Sequence, residues 1–236
     1  MIVVIANNYD ETARALVARW AAHDARLFSC SDLSVCGWRY YLSDYKSSTV
    51  VIAGQEVAQE EISGVFTRMP SVYVEELVHI VPADRVYVAV EMTSFLLSWL
   101  SRLTCPVLNQ PTSTCLSGPN WRQEQWMYAA AHVGITVRPV RRRVALASRN
   151  VSEDESPMPS PFTVTIVGDR YFGSVDKALT TQARRLADAA NVDLLAVQFS
   201  GSEAGSFFVG ANTWPDVTSN EVADAVIDYL QRGRLR

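Results

Sequence analysis

The chain has 236 residues, a formal net charge of −4 and a hydrophobic content of 48%. This length and composition suit one large domain or two small ones with a sizeable apolar core. The negative charge argues against a nucleic-acid partner, because neutralising phosphates requires a basic surface. The sequence shows no secretory signal and no apolar run of the roughly 20 residues that cross a bilayer. We therefore expect a cytoplasmic protein with no nucleic-acid or membrane partner.

The four cysteines and three histidines are scattered, without C-x-x-C pairs or zinc-finger spacing. We expect reduced thiols and no metal site. Cys115 is nevertheless a candidate nucleophile, because it lies in a Ser/Thr-rich loop before a predicted helix whose dipole would stabilise a thiolate. A lone cysteine among small residues is also compatible with a purely structural role.

The N-terminal segment has the pattern of a strand, a helix and a second strand. Residues 2–6 form an apolar run typical of a buried parallel strand, and Asn8 or Asp10 can cap a helix over residues 11–23. Residues 26–28 follow as a strand. The turn contains no G-x-G-x-x-G, so a dinucleotide-binding fold is unsupported.

Residues 37–42 and 49–53 predict a β-hairpin with a turn over 43–48, and residues 54–56 mark a break. Four aromatic side chains cluster there: Trp38, Tyr40, Tyr41 and Tyr45. They either form one exposed aromatic face for an apolar ligand, a peptide or a second subunit, or pack against the neighbouring helix.

A strand over residues 62–67 ends at Arg68, and apolar spacing predicts a helix over 86–103 that contains Glu91. A short strand end at 106–108 then runs into Asn109, Gln110 and Pro111. A further helix covers 121–132, and residues 135–139 form an exit strand.

Residues 149–161 are polar, acidic and proline-rich, which is typical of an exposed loop. Strands follow at 162–169, 170–172, 194–199 and 206–211. Two helices, at 176–190 and 221–230, have apolar residues at helical spacing.

These elements and several motifs resemble the ATP-grasp ligases of the peptide-maturase type. The resemblance rests on G-V-F-T-R ending at Arg68, on Trp99-Leu100, on Asn109-Gln110-Pro111 and on V-G-D-R-Y-F at 167–172. It implies an α/β protein with a parallel-sheet, pre-ATP-grasp-like domain over residues 1–139. A linker over 140–161 and a reduced α+β C-terminal half over 162–236 would complete the chain.

The same resemblance shows where this chain departs from the family. The family holds divalent metal with an Asp in one strand and with E-x-N in the next; the corresponding positions here are Gln198, Gly210 and Asn212. Asn120 stands at a lysine position and Thr163 at an arginine position, and no segment between 139 and 162 matches the phosphate loop or the nucleotide-binding lysines. Two neutral side chains cannot replace two carboxylates facing Mg²⁺ and a triphosphate. The sequence therefore predicts a pseudoenzyme with no nucleotide or metal cofactor.

The predicted function is binding of an amino-acid- or peptide-type carboxylate substrate, or of a partner protein, in peptide modification or specialised-metabolite biosynthesis. Two arginines, Arg68 and Arg170, would pair with the carboxylate, and two amides, Asn109 and Asn212, would orient it. Glu91 would accept an amine or a proton.

Two enzymatic alternatives remain open on the sequence alone. One is an ATP-dependent carboxylate–amine ligase completed by a partner ATP-grasp chain. The other is an ATP-independent enzyme that uses Cys115 or Glu91 as its catalytic residue. A homo-oligomer is compatible with each of them.

Overall fold

The computed structural model describes residues 1–41, 47–138 and 161–232. Nearly all of the predicted linker, as well as Tyr45, lies outside these described residues. The described strands are β1 (Ile2–Ile5), β2 (Ala25–Phe28), β3 (Thr49–Ile52), β4 (Gln55–Ala58), β5 (Gly64–Thr67), β6 (Val107–Leu108), β7 (Phe162–Val167), β8 (Arg170–Phe172), β9 (Leu194–Phe199) and β10 (Phe208–Asn212). The described helices are α1 (Glu11–Arg19), α2 (Arg85–Arg102), α3 (Gln123–His132), α4 (Lys177–Ala190) and α5 (Asn220–Arg232).

The N-terminal half is built on a parallel sheet of order β2-β1-β5-β6. α1 begins after Asp10, whose carboxylate accepts a hydrogen bond from the Ala13 backbone N–H at 2.9 Å. The helix is shorter than the predicted 11–23, because the chain turns into a 3₁₀ turn at Ala21–His23 and a left-handed residue at Asp24. This turn returns the chain to β2.

The structure contains a hairpin later in the chain than the predicted one, formed by β3 and β4. β3 pairs with β4 in antiparallel register, and the connection is the two-residue turn Ala53-Gly54, with φ of 52° and 73°. Positive φ at both turn positions is the geometry of a type I′ hairpin, so what the sequence indicated as a break is the turn itself. Of the pairing expected between 37–42 and 49–53, the described residues contain one antiparallel bridge, between Arg39 and Thr49. Residue 42 and most of the turn expected over 43–48 lie outside the described residues.

Aromatic packing against α2 accounts for part of the aromatic cluster. The centroid of the Trp38 ring lies 5.2 Å from that of Phe95 and 5.7 Å from that of Trp99. The centroids of the Tyr40 and Phe95 rings are 5.6 Å apart. These edge-to-face contacts favour the second of the two alternatives for Trp38 and Tyr40, packing against the neighbouring helix.

The two faces of the parallel sheet pack against different helices. Val3 and Ile5 point into a core that includes Leu96 and Trp99 of α2. The alternate residues of β1 point into a second core, which contains α1 residues and most of the buried face of α5. The chain thus places α1 and α2 on opposite sides of the sheet.

The C-terminal half is an antiparallel sheet of order β10-β9-β7-β8. α3 and α4 pack on one of its faces, and residues of β7 and β9 on the other face join the core that contains α5. α5 therefore packs against both sheets. A Cβ on Gly64 would lie 2.6 Å from the Leu230 carbonyl oxygen, so glycine allows this close approach of β5 to α5.

The predicted exit strand at 135–139 consists, within the described residues, of one parallel bridge between Val137 and Phe208. Among the helices described, none is both long enough and apolar enough to span a membrane.

Candidate functional site

The carboxyl ends of β1 and β5 form the centre of the candidate site. The connections that leave these adjacent strands run to opposite faces of the sheet, through α1 and α2. Such a switch in direction leaves a crevice outside the strand ends, which is where open α/β sheets bind ligands.

An ion pair occupies this crevice. Arg68, at the end of β5, donates from Nε to Asp10 Oδ2 at 2.8 Å and from Nη2 to Asp10 Oδ1 at 3.5 Å. Both side chains are about nine-tenths buried, with relative exposures of 9% and 10%. Asp10 therefore both caps α1 and neutralises Arg68.

The C-terminal half covers this ion pair. The Arg68 Cζ atom lies 5.6 Å from the centroid of the Trp214 ring and 5.9 Å from that of Phe66. The Trp214 backbone N–H donates to the Asn212 side-chain oxygen at 3.0 Å. The pKa of the nearby Asp216 carboxyl is lowered, mainly by hydrogen bonds from Thr218 and, less strongly, by the charge of Arg68. Arg68 and Asn212 are thus two predicted site residues that the fold brings into one neighbourhood.

A buried carboxylate, Glu76, lies at the same edge of the sheet. Glu76 Oε2 accepts the Asn8 backbone N–H at 3.2 Å and the Cys30 thiol at 3.5 Å. Burial, reinforced by the Glu76 charge, raises the pKa of the Cys30 thiol to about 12. Burial also raises the pKa of Tyr73, with further contributions from Glu76 and Cys115. Near Glu76, the Cys30 thiol and the Tyr73 hydroxyl therefore both have pKa values above their ordinary ones.

Cys115 lies under the surface of the loop that follows β6. It is 1% exposed, its Sγ is 3.5 Å from Ser117 Oγ, and its backbone pairs with Thr112. The next residue, Leu116, donates its backbone N–H to the Pro70 carbonyl at 2.9 Å, which ties the loop to the end of β5. The nucleophilic role of Cys115 stays a prediction, and its thiol is closed to solvent in this structure.

Asn109 joins the two halves of the molecule. It is 2% exposed, and its amide hydrogen-bonds to the backbone of Asp193 and Leu194, at the start of β9. The predicted role of Asn109 in orienting a substrate stays untested, but its side chain already makes three hydrogen bonds within the chain.

Glu91 and Arg170 are not brought to this crevice. Glu91 is exposed on α2, and the buried side of α2 packs against the face of the parallel sheet that contains Val3 and Ile5. Arg170 lies on the edge strand β8 and forms a surface ion pair with Asp228 of α5 at 2.7 Å. β10, which carries Asn212, is the opposite edge of that sheet. Within the described residues, Glu91 and Arg170 therefore do not share a site with Arg68, and their predicted roles stay predictions.

The strand register places the positions assigned to metal binding side by side. Gln198 of β9 lies opposite Gly210 of β10 and opposite Thr163 of β7. A Cβ on Gly210 would lie 3.3 Å from Gln198 Oε1 and 3.4 Å from Gln123 Oε1. Among the described residues, no group of three or more His, Cys, Asp or Glu side chains is arranged to hold a metal. Gln198, Gly210 and Thr163 thus form a row without a carboxylate across the three strands.

No family model and no curated protein sequence matches the chain. Solved structures do match it over nearly its whole length. The macrocyclase MdnC from Microcystis aeruginosa MRC, bound with precursor peptide MdnA, has a TM-score of 0.71 at 12% identity, covering 97% of this chain and 98% of that chain. The ATP-grasp ligase PsnB, complexed with precursor peptide PsnA2 and AMPPNP, has a TM-score of 0.66 at 13% identity, covering 98% of both chains.

The chain has the fold of the ATP-grasp ligases. A RiPP-associated ATP-grasp ligase from Chryseobacterium gregarium, in complex with ADP and a leader and core peptide, supports the same assignment, with a TM-score of 0.62 at 12% identity over 97% of this chain and 96% of that chain. The predicted fold class is confirmed. These matches cover both the half with the parallel sheet and the half with the antiparallel sheet.

Sequence reasoning missed three residues of this crevice: Asp10 as the partner of Arg68, Trp214 as its cover, and Glu76. Asp10 and Arg68 are 58 positions apart, and neither spacing nor composition connects them. The one available signal was the helix-capping position of Asp10, which places a carboxylate at the end of β1.

Proposed function

We propose that this chain is an ATP-grasp-fold protein without a working nucleotide site, which binds an amino-acid- or peptide-type carboxylate, or a partner protein, in peptide or specialised-metabolite biosynthesis. The observation that carries the proposal is the pairing of Gln198 with Gly210 across β9 and β10. The resemblance assigns the two metal-binding carboxylates to these two positions, and the register puts them next to each other.

Loss of both carboxylates removes the chemistry that phosphoryl transfer needs. Mg²⁺ prefers charged oxygen ligands, and it neutralises the phosphate oxygens during transfer. Gln198 offers an amide and Gly210 offers no side chain, so the pair contributes no charge. The retained crevice around Arg68 is then the part of the fold that still has polar groups placed for a ligand.

Arg68 supports the carboxylate part of the proposal. Its hydrogen bonds to Asp10 use Nε and Nη2, and within the described residues Nη1 donates none. A guanidinium held in this way keeps the two N–H donors of Nη1 for a ligand carboxylate, in a crevice where charge-assisted hydrogen bonds are strong. Peptides are the expected ligand class because MdnC and PsnB, which share the fold, were solved with precursor peptides.

The nucleotide part is tested by calorimetric titration of the full chain with Mg-ATP and with Mg-ADP. We expect no binding heat up to about 1 mM nucleotide, where even an affinity of about −4 kcal/mol would be detected. Micromolar binding would contradict the proposal and restore the ATP-dependent ligase alternative.

The carboxylate part is tested separately, with pooled tripeptides that carry either a free or an amidated C-terminus. The free acids should bind the wild-type chain, and the amides should bind at least about tenfold more weakly, since they lack the charge that Arg68 recognises. Arg68→Lys serves as the control variant, because it keeps the positive charge beside Asp10 but loses the planar fork. Equal binding of acids and amides would exclude the carboxylate role of Arg68.

A further inference from the structure

The crevice contains one buried charged group besides the Asp10–Arg68 pair. Glu76 is 9% exposed, and within residues 1–41, 47–138 and 161–232 its carboxylate forms no ion pair. The nearby Arg14 is exposed and donates to the Asn8 backbone carbonyl instead. Burial of a carboxylate without a cation costs free energy, because the group loses its hydration. A cation supplied by a ligand would offset this cost.

The protein uses one of the two oxygens of Glu76. Oε2 accepts the Asn8 backbone N–H at 3.2 Å and the Cys30 thiol at 3.5 Å. Among the residues that the structure describes, no donor bonds to Oε1. Since each carboxylate oxygen can accept about two hydrogen bonds, the fold orients the Glu76 side chain and leaves one oxygen for another donor.

A second buried carboxylate near Cys30, that of Asp32, has no such spare oxygen. Asp32 is 6% exposed, and its Oδ2 accepts the Ser29 backbone N–H at 2.9 Å. Its Oδ1 accepts the Gly54 backbone N–H at 2.8 Å. Both oxygens are therefore bonded to the backbone, as a purely structural role requires. Glu76 differs from Asp32 in having one oxygen without a donor.

The neighbours of Glu76 report an uncompensated negative charge. Burial is the first cause of the raised pKa values of the Cys30 thiol and the Tyr73 hydroxyl, and the charge of Glu76 is the second cause for both. Such a charge attracts cations. Within the described part of the chain, no group of three or more His, Cys, Asp or Glu side chains could hold a metal ion. An ammonium group, which needs few acceptors, suits Glu76 better than a metal ion does.

Arg68 and Glu76 flank the turn that follows β1. Asn8 donates its backbone N–H to Glu76, and Asp10 accepts the hydrogen bonds of Arg68. Asn8 and Asp10 are two residues apart, so their Cα atoms are less than about 8 Å apart. Each charged group is held by one half of its polar atoms. The other halves, Nη1 of Arg68 and Oε1 of Glu76, form no hydrogen bond to the described residues.

We propose that this crevice binds a zwitterion, an amino acid or a short peptide with a free amine, whose carboxylate pairs with Arg68 and whose ammonium group donates to Glu76 Oε1. The proposal rests on the proposed function, because the carboxylate end is the ligand group assigned there to Arg68. It adds the second end of the ligand and the residue that recognises it. Glu91, which is exposed on α2, is not part of this crevice.

The first test compares two sets of pooled tripeptides in calorimetric titrations of the full chain. Both sets have a free C-terminal carboxylate, and the N-terminus is either a free amine or acetylated. Acetylation removes the positive charge and leaves a neutral amide. We expect the acetylated peptides to bind at least about tenfold more weakly, because they cannot form a charge-assisted hydrogen bond to Glu76. Equal binding of the two sets would overturn the proposal.

The second test removes the charge of Glu76 and keeps its shape. Glu76→Gln should weaken binding of the free-amine peptides about tenfold and leave binding of the acetylated peptides nearly unchanged. Glu75→Gln is the matched control, since Glu75 is the exposed neighbour on the same 3₁₀ turn and loses the same charge. It should change either affinity by less than about twofold. If Glu76→Gln remains folded by circular dichroism and keeps the preference for free amines, Glu76 has a structural role only and the proposal is wrong.

A third set, with a free amine and an amidated C-terminus, separates this proposal from the one on which it rests. If these amides bind as tightly as the free acids and acetylation still weakens binding, the carboxylate role of Arg68 fails and the ammonium role of Glu76 is supported. If the free acids bind more tightly than the amides but acetylation has no effect, the carboxylate role is supported and the ammonium role fails. Absence of binding by all three sets would overturn both.

Discussion

Asn109 and Leu194 are joined by a pair of hydrogen bonds in opposite directions: Asn109 Nδ2 donates to the Leu194 carbonyl at 2.8 Å, and Asn109 Oδ1 accepts the Leu194 N–H at 2.8 Å. The side chain thus imitates a strand neighbour at the start of β9, and Oδ1 also accepts the Asp193 N–H at 3.0 Å. One buried amide therefore connects the end of the parallel sheet to the beginning of a strand in the antiparallel sheet.

We expect Asn109→Ala to lower the free energy of unfolding by about 3 kcal/mol or more, because it leaves several backbone groups around Leu194 without partners. Urea denaturation followed by fluorescence measures this change. Asn212→Ala is the control: its side chain is exposed and accepts one hydrogen bond, from Trp214, so it should cost less than about 1 kcal/mol. Similar losses in both variants would contradict the connecting role of Asn109.

The Asp10–Arg68 ion pair should be strongly coupled. Arg68→Met leaves a buried carboxylate unpaired and should cost about 3–5 kcal/mol. Asp10→Asn keeps an oxygen for the helix cap and removes the charge. The double variant should therefore be markedly more stable than the sum of the single losses implies, by roughly 2 kcal/mol in a double-mutant cycle. Additive losses would mean that the two side chains act independently.

The four free thiols should react with iodoacetamide at very different rates under native conditions. Cys36 is exposed, whereas Cys30 is 1% exposed and its pKa is raised to about 12. Since the thiolate is the reactive form, Cys36 should be alkylated first and Cys30 only after unfolding. Mass spectrometry of digested, time-sampled protein identifies the modified cysteine. Early modification of Cys30 would contradict its buried, protonated state.

The raised pKa of Cys30 also predicts a pH dependence of stability. The folded thiol stays protonated up to about pH 12, whereas the thiol of the unfolded chain ionises near pH 9. The contribution of Cys30 to the free energy of unfolding is therefore complete below pH 9 and falls as the pH rises towards 12. Cys30→Ala should show a flatter fall over this range than the wild type, and Cys36→Ala should not. Parallel curves for all three would refute the linkage.

Restoring the two carboxylates should create a dependence on divalent cations. In Gln198→Asp/Gly210→Glu, two adjacent anions repel each other until a cation binds between them. We expect the double variant to melt below the wild type in EDTA and to regain several degrees with millimolar Mn²⁺, while the wild type does not respond. Differential scanning calorimetry records both. The same response in Gln198→Asn/Gly210→Ala would show that the effect is not due to charge.

Local patterns in the sequence determined much of the secondary structure. The apolar run of β1 and the amphipathic α4 and α5 lie where their periodicity predicts them, because burial of one face depends on residues close together in the chain. The resemblance to ATP-grasp ligases likewise predicted the fold from short motifs. The hairpin of β3 and β4 was not predicted, because Ala53-Gly54 lacks the Asn or Asp that usually signals a type I′ turn.

Only the tertiary structure decided which polar groups meet. Sequence analysis identified Arg68 and Asn109 as polar residues at strand ends, but their partners Asp10 and Leu194 lie 58 and 85 positions away. A side chain's capacity to form hydrogen bonds is a property of the residue itself. Which partner forms these hydrogen bonds depends on how the two sheets pack against α5, and no local sequence pattern predicts that packing.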